Sequence, residues 1–211
     1  AAGRLFESHA AWRLEARLAP LFKAHACSTW AEYVGRLEQR GASGRAALAA
    51  AIERVTVHET YFFRERHQLD SFSEEVLPAM LGARTPRPLS GLRSVGRGVV
   101  RVLSAGCSTG EEAWTIAILL EQSGLFSSDG GALDYEVVGV DIAPSIIESA
   151  RQARYGRRGF RGDVPDDVMR RWFTEDGKNH VVTGLRDRVT FHVGNLLEAT
   201  DLARLGHFDI A

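Results

Sequence analysis

Three carboxylates mark two places in the chain where ligand chemistry is expected. Glu111 and Glu112 follow a run of small residues, AGCSTG, which itself follows an apolar run that begins at Val99. Such a run is typical of a buried parallel strand, and the helix-forming stretch EEAWTIAILLEQ follows the turn. Asp141 ends a second apolar run over residues 135–140. This order predicts the first βα unit of a doubly wound sheet, whose ligands lie beyond the carboxyl ends of the strands.

The charge at the turn indicates which ligand fits. A helix N-terminus favours an anion, but Glu111 and Glu112 would repel a pyrophosphate, and the turn lacks the Gly-Lys-Ser/Thr ending of a P-loop. Ala105 and Gly106 let a ligand approach the backbone closely, and Asp141 is placed to accept hydrogen bonds from a ribose. These features favour S-adenosylmethionine (SAM), with S-adenosylhomocysteine as its product. The alternative is a glycine turn in an α/β protein without this ligand.

A second informative stretch, TVHETYFFRER, covers residues 56–66. Phe62 and Phe63 are predicted to be core residues. Arg64 stands beside these aromatics and the Thr60 hydroxyl, where its guanidinium is a plausible fork for a carboxylate. A solvated surface arginine is the alternative. His192, on a predicted strand, is interpreted as a structural histidine.

Composition sets the broad class. The 211 residues are 45% hydrophobic and 25% charged, with a net charge of −1, which suits one full domain or two small ones. This balance gives no general attraction to nucleic acid or membranes. The two cysteines show no metal spacing, so no metal is expected. Without a signal peptide or long apolar segment in the sequence, we expect a cytoplasmic protein with no direct membrane insertion.

Three domains or segments are predicted: helices over residues 1–81, a linker rich in Arg, Pro and Gly over 82–98, and an α/β domain over 99–211. Pro20 is expected to kink or divide the first helix. Thr29 and Glu32 form a capping box before the second. The predicted buried helix faces are Leu14, Leu18, Leu21 and Phe22; Trp30, Tyr33, Val34 and Leu37; Leu48, Ala51, Ile52 and Val55; and Leu69, Phe72, Val76 and Met80.

The second half of the α/β domain continues the alternation of helices and strands. Helices are predicted to open at Pro144 and at residues 165–167. The alternating run over residues 188–193 predicts a third strand, and residues 208–210 look like the start of a fourth.

Several of these blocks resemble the CheR-type chemotaxis receptor methyltransferases, which use SAM to methylate glutamate side chains of chemoreceptors. The matching blocks are RLEARL, HETYFFRE, SAGCSTGEEAWTIAI, VVGVDIAPSIIESARQARY and VTFHVGNLL, followed by FDIA. The resemblance covers nearly the whole chain. It implies an α/β fold in which a small N-terminal helical bundle precedes the Rossmann-like doubly wound sheet of a class I SAM-dependent methyltransferase.

The resemblance also implies roles for individual residues. Arg64 would be catalytic, next to the transferred methyl group. Arg13 and Arg17 offer a basic face to the acidic receptor helices, although surface solubility is the ordinary interpretation of such a pair. The cofactor-binding positions are Thr60, Arg64, Glu111, Asp141, Asn195 and Leu196, together with His58, where the family usually has Asn, and the small turn residues Ala105 and Gly106.

One departure from the family pattern concerns the end of the chain. Family members continue past FDIA into a segment like CRNVLIYF, which supplies a further cofactor contact and an active-site tyrosine. The sequence stops at Ala211, so we expect a piece of a longer protein that lacks its C-terminal strands and that alone binds cofactor weakly or is inactive.

The expected reaction is direct transfer of the methyl group to an ionised glutamate of a chemoreceptor cytoplasmic domain. Two alternatives stay open. One is a class I methyltransferase acting on nucleic acid, although the Asp/Asn-Pro-Pro-aromatic run of amino-methylating enzymes is absent from the sequence. The other is a module that binds cofactor or receptor without chemistry.

Overall fold

A computed structural model describes residues 11–56, 59–84, 98–126, 133–161, 164–177 and 179–211. The first three helices are α1 (Ala11–Ala24), α2 (Trp30–Leu37) and α3 (Ala42–Val55). Their shared core contains Leu18, Cys27, Tyr33, Ala51 and Val55. The capping box is confirmed at the start of α2, because Thr29 Oγ1 accepts from the Glu32 N–H at 3.2 Å and the Glu32 carboxylate accepts from the Ser28 N–H at 2.8 Å.

The structure corrects the predictions for this bundle at Val34 and Leu48, which were expected to be buried, and in part at Pro20. Pro20 was expected to kink or divide the first helix and does not divide it, since α1 runs through it to Ala24. Pro20 is exposed, so water can satisfy the carbonyl that lacks its N–H donor. Val34 is 48% exposed, because the eight residues of α2 pack through Trp30, Tyr33 and Leu37. In α3 the small Ala47 is buried instead of Leu48, which is half-buried.

A π-helical turn changes the register of the next helical segment. It covers Phe72–Val76, between α4 (Arg66–Ser71) and α5 (Leu77–Arg84). The wider turn places Leu77, five residues after Phe72, in the core, where it is 1% exposed. Val76 was predicted to face the core and is 43% exposed. That prediction assumed a regular α-helix and is wrong by one position.

The main sheet has the parallel topology that the sequence predicts. Its strands are β1 (Gly98–Ala105), β2 (Leu133–Asp141) and β6 (Val189–Val193), in the order β1-β2-β6. Ile210 forms a parallel bridge to Val102, so the start of the fourth strand also lies where it was predicted. Helices α6 (Glu111–Gln122) and α7 (Pro144–Gln152) follow β1 and β2, and α9 (Ala199–Leu205) follows β6.

A small antiparallel sheet between α7 and β6 was not predicted. It contains β3 (Arg154–Tyr155), β4 (Phe173–Asp176) and β5 (Asn179–Val182), which lie in the order β3-β5-β4. A 3-10 helix (Arg157–Phe160) and α8 (Asp166–Trp172) connect β3 to β4 along the chain. The strands are too short to show the alternation from which strands are predicted. This insertion brings Gly159 and Arg161 toward the turn after β1.

The segment after the helical bundle packs with the sheet. Phe62, Phe63 and Leu77 share one core with residues of β1, β2 and α6, so the prediction that both phenylalanines are core residues is confirmed. The predicted linker lies mostly outside the described residues, and the domain limits stay a prediction. Within the described residues, no helix has both the length and the apolar character that a membrane crossing requires.

Candidate active site

Backbone N–H groups of the turn after β1 donate hydrogen bonds to other backbone groups of the protein. The N–H groups of Gly106 and Cys107 both donate to the Val140 carbonyl, at 2.8 and 3.0 Å, and the Gly110 N–H donates to the Cys107 carbonyl at 3.0 Å. At Gly110, whose φ is +95°, a Cβ would lie 2.9 Å from the Phe191 ring. These amides therefore do not form an anion-binding nest, as expected for a ligand that carries positive charge.

Asp141 fixes this turn to the end of β2. Its side chain is 5% exposed. Oδ2 accepts from the Ser108 N–H at 3.0 Å, and Oδ1 accepts from the Ala143 N–H at 3.0 Å. A carboxylate offers about four acceptor positions, so Asp141 can hold the turn and still accept hydrogen bonds from a ligand's hydroxyl groups.

Glu111 is the buried carboxylate at the start of α6. It is 5% exposed, and its Oε2 accepts from the Thr109 hydroxyl at 2.6 Å. Burial raises the pKa of Glu111, while the Thr109 hydrogen bond and the charge of Arg161 lower it. A Cβ on Gly159 would lie 3.5 Å from Glu111 Oε1, so the backbone of the inserted segment passes directly over this carboxylate.

The neighbouring groups show that the turn is strongly acidic. Burial raises the pKa of the Cys107 thiol, and the charges of Asp141, Glu112 and Glu111 raise it further. Tyr155 donates its hydroxyl to the Thr109 carbonyl at 2.7 Å, and its pKa is raised by burial and by Glu111. A cation is the ligand that would relieve this concentration of negative charge.

A cavity of about 540 Å³ opens beside the turn. Of the predicted site residues, Thr60, Arg64 and Gly106 line this cavity, whereas the buried carboxylates Glu111 and Asp141 lie behind the turn and do not line it. Ala105 is exposed at the same turn. Other lining residues are Glu59, Tyr61, Glu65, Leu103, Cys107, Ser108 and Glu112. The Glu112 carboxylate accepts a hydrogen bond of 2.6 Å from the Ser104 hydroxyl. The volume of the cavity suits a small ligand.

Arg64 projects into the rim of this cavity with much of its side chain accessible. The side chain is 45% exposed, and Nε lies 3.5 Å from Glu65 Oε1. Its Nη1 donates to the Glu59 carbonyl at 2.6 Å. The remaining guanidinium donors leave Arg64 able to bind a further carboxylate.

Other predicted residues lie apart from the cavity. Asn195 and Leu196 follow β6, next to Asp141, since the Gly194 N–H donates to the Asp141 carbonyl at 3.0 Å. The Asn195 side chain accepts from the Leu197 N–H at 3.1 Å. Neither residue lines the cavity. His58 lies outside the described residues, and His192 is exposed on β6.

The contacts that the structure gives Arg13 and Arg17 lie within the helical bundle. Arg17 Nη1 donates to the Val55 carbonyl at the end of α3, at 2.9 Å. The Arg13 guanidinium lies 5.2 Å from the Trp12 ring. Both side chains are exposed, and their role toward a substrate stays a prediction.

Sequence reasoning missed Glu59, Tyr61 and Arg161. Glu59 and Tyr61 stand in the HETYFFRE block, so their position beside Thr60 and Arg64 was the signal that could have found them. Arg161 carries no such signal, because its ion pair with Glu59 joins residues that are 102 positions apart.

Comparison with known proteins identifies the family. The sequence model of the family described as "CheR methyltransferase, SAM binding domain" matches residues 58–211 of the chain. This chain belongs to the CheR methyltransferase family. The cofactor of the matched domain is SAM, in agreement with the acidic turn. The prediction of an α/β fold with N-terminal helices and a parallel, Rossmann-like sheet is confirmed as well.

Curated relatives carry names of the same kind. The chain is 31% identical over 77% of its length to chemotaxis protein methyltransferase 2 of Vibrio cholerae. It is 36% identical over 76% of its length to the probable biofilm formation methyltransferase WspC of Pseudomonas putida. Because it spans 52% of the first relative and 34% of the second, the chain corresponds to about half of these proteins or less.

Replacing Asp141 by asparagine is expected to damage the turn itself. One amide nitrogen would face the N–H of Ser108 or Ala143, and a buried donor would lose its acceptor, which costs about 1–3 kcal/mol. We expect a lower melting temperature and an affinity for S-adenosylhomocysteine at least tenfold weaker, about 1.4 kcal/mol. Calorimetry and thermal denaturation measure the two effects, and Asp167→Asn on the exposed start of α8 is the control. Unchanged stability would show that the two hydrogen bonds to Asp141 do not hold the turn.

Proposed function

We propose that this chain is the SAM-binding and catalytic part of a protein-glutamate O-methyltransferase, which forms methyl esters on the cytoplasmic helices of chemoreceptors in chemotaxis-type adaptation. The observation that carries the proposal is the meeting of an acidic turn and an accessible arginine at one cavity. A turn of this kind suits a cationic cofactor, and the arginine suits an acidic acceptor. Family membership and the names of the relatives support the same reaction class.

The donor set fits the cofactor. Bound SAM supplies a methyl group on a positively charged sulfur. Glu111 would accept hydrogen bonds at the amino-acid end of the cofactor, and Asp141 at its ribose. Gly106 and the small residues around it would let the cofactor lie close to the backbone, and Thr60 also lines the cavity.

The acceptor carboxylate needs little activation. A glutamate side chain has a pKa of about 4.3 and is already ionised at neutral pH, so no general base is required. Arg64 would orient this carboxylate or act through the cofactor or a water. A very tight ion pair with Arg64 would lower the nucleophilicity of the acceptor carboxylate. The contacts that Arg64 already makes to Glu59 and Glu65 weaken such a pair. Catalysis would then consist of positioning and exclusion of water.

The name of the Pseudomonas putida relative favours a second candidate with the same chemistry. That protein is called a probable biofilm formation methyltransferase. The acceptor of this chain would then be a receptor of another signalling pathway. A panel of receptor cytoplasmic domains from both kinds of pathway separates the two possibilities by the one that accepts methyl groups.

The test combines binding and transfer on the protein expressed from its complete gene. Calorimetry with S-adenosylhomocysteine should show binding at one site, and labelled SAM should transfer methyl groups to a receptor cytoplasmic domain as base-labile carboxyl esters. Transfer to RNA or DNA instead would support a nucleic-acid methyltransferase. Binding of cofactor or receptor without transfer to any acceptor would support a non-catalytic module. Either result overturns the proposal.

A further inference from the structure

Two arginines from distant parts of the chain meet over the ring of Tyr61, a residue that lines the cavity. The guanidinium carbon of Arg161 lies 5.1 Å from the centroid of the Tyr61 ring, and that of Arg64 lies 5.8 Å from the same centroid. Both arginines also bind Glu59: Arg161 Nη1 is 3.1 Å from its carboxylate Oε1, and Arg64 Nη1 donates to its backbone carbonyl at 2.6 Å. We call these four residues the two-arginine cluster.

Unlike an isolated surface ion pair, the cluster lies on two segments that are joined by contacts in the protein interior. One residue beyond Tyr61, the Phe62 N–H donates to the Gly159 carbonyl at 2.8 Å. The Phe62 and Phe160 rings stack with centroids 5.0 Å apart. Because these contacts lie next to Tyr61 and Arg161 in the chain, they keep the backbones of the two segments together without the Arg161–Glu59 ion pair.

The polar ends of the cluster remain accessible. The side chains of Arg161 and Glu59 are 46% and 60% exposed. An ion pair so exposed contributes between about 0 and 1 kcal/mol, so exchanging its carboxylate for another one costs little. Glu59, Tyr61 and Arg64 also line the cavity beside the acidic turn, where an incoming acceptor side chain would arrive.

We infer that the two-arginine cluster is the docking site for the acceptor carboxylate, and that Glu59 occupies Arg161 until the acceptor displaces it. This inference rests on the proposed function and adds a substrate-positioning role for Arg161 and Glu59. The arriving glutamate exchanges with the Glu59 carboxylate on Arg161 and lies next to Arg64. Arg64 keeps its ion pair with Glu65 during the exchange, and Arg161 passes from one carboxylate to another. An acceptor without a carboxylate does not displace Glu59.

The exchange predicts opposite effects for its two partners. With a receptor cytoplasmic domain as acceptor, Arg161→Ala should raise KM about tenfold, the equivalent of about 1.4 kcal/mol, because one charged contact to the acceptor is lost. Glu59→Gln should lower KM about threefold, since the competing carboxylate has gone. In the Arg161→Ala background, Glu59→Gln should change KM by less than a factor of about 1.5.

Controls separate docking from folding and from general electrostatics. Arg158→Ala removes the same charge from an exposed position of the neighbouring 3-10 helix and should leave KM within about a factor of two. Arg161→Lys keeps the charge without the planar fork and should lie between the wild type and Arg161→Ala. Because the charge of Arg161 also acts on Glu111, the affinity for S-adenosylhomocysteine is measured by calorimetry for each variant, which separates an effect on the cofactor site from an effect on docking.

The outcomes are distinct. If the wild type esterifies the receptor but Glu59→Gln and Arg161→Ala both raise KM, the ion pair is structural and the exchange is wrong. If neither variant changes KM, the ion pair takes no part in docking and the exchange is also wrong. If the wild type binds S-adenosylhomocysteine but transfers no methyl group to receptor carboxylates, the proposed function itself fails and the docking role fails with it.

Discussion

Replacing Glu111 by glutamine is expected to lower the affinity for S-adenosylhomocysteine about 100-fold. The product keeps the ammonium group of the cofactor's amino-acid end, and the proposed partner of that group is a carboxylate only 5% exposed. Removing one member of a buried charge pair costs about 3 kcal/mol or more, which corresponds to a 100-fold change at about 1.4 kcal/mol per factor of ten. Calorimetry at neutral pH measures the change.

The same substitution is expected to stabilise the protein in the absence of ligand. Burial raises the pKa of Glu111 above its ordinary value, so the folded state holds this proton more tightly than the unfolded state does. The resulting stability is fully present below the unfolded pKa and is lost as the pH rises through the folded pKa. Glutamine cannot ionise and avoids that loss.

Thermal denaturation of the free protein at several pH values tests this sign. Glu111→Gln should melt at a higher temperature than the wild type at neutral pH, and the difference should shrink below about pH 4, where the unfolded glutamate is protonated. Glu148→Gln is the control, since its side chain on α7 is 63% exposed. A Glu111→Gln protein that melts lower at neutral pH yet binds the ligand normally would show that Glu111 is a structural residue of the turn.

The opposite signs of these two effects describe how the site is built. Burying the Glu111 carboxylate lowers the stability of the fold, and the Thr109 hydroxyl and the charge of Arg161 compensate for this loss in part. Such strain at a site is retained where it serves a ligand. A positively charged cofactor would supply the missing compensation, so binding should also raise the melting temperature of the wild type more than that of Glu111→Gln.

The sequence predicts the turn and the parallel sheet because their signals are local. The strand, the small residues and the helix lie within residues 98–122, and Asp141 ends β2 directly. Each element can therefore be predicted from its own residues, and the rule that ligands bind at the carboxyl ends of parallel strands brings them together. The position of Asp141 at the turn, 3.0 Å from the Ser108 N–H, follows from that rule.

The remaining features depend on contacts between distant segments. No pattern near Arg161 indicates that it reaches Glu59, because the approach is set by Phe62 and Gly159. The register shift that buries Leu77 instead of Val76 arises from a π-helical turn, whose local sequence reads as an ordinary amphipathic helix. The strand β3 has two residues and exists only because β5 pairs with it.

Phe62→Ala is expected to have the largest effect on stability in this part of the molecule. Phe62 is fully buried, and its ring packs against Tyr155, Phe160 and Phe173 with centroids 4.9 to 5.0 Å apart. Truncating a buried phenylalanine costs about 3–5 kcal/mol in the free energy of unfolding. Denaturant unfolding should show this loss as a lower midpoint.

The milder Phe62→Leu separates stability from function. Leucine keeps most of the buried area but not the ring contacts that fix the inserted segment against residues 59–65. We expect a folded protein with a raised KM for the acceptor, because Arg64 and Arg161 no longer keep their spacing. Phe126→Leu is the matched control: Phe126 is 5% exposed and packs edge-on against Tyr135, away from the cavity. If both leucine variants lose equal stability and leave KM unchanged, Phe62 contributes to the core alone, and the geometry of the two-arginine cluster does not depend on it.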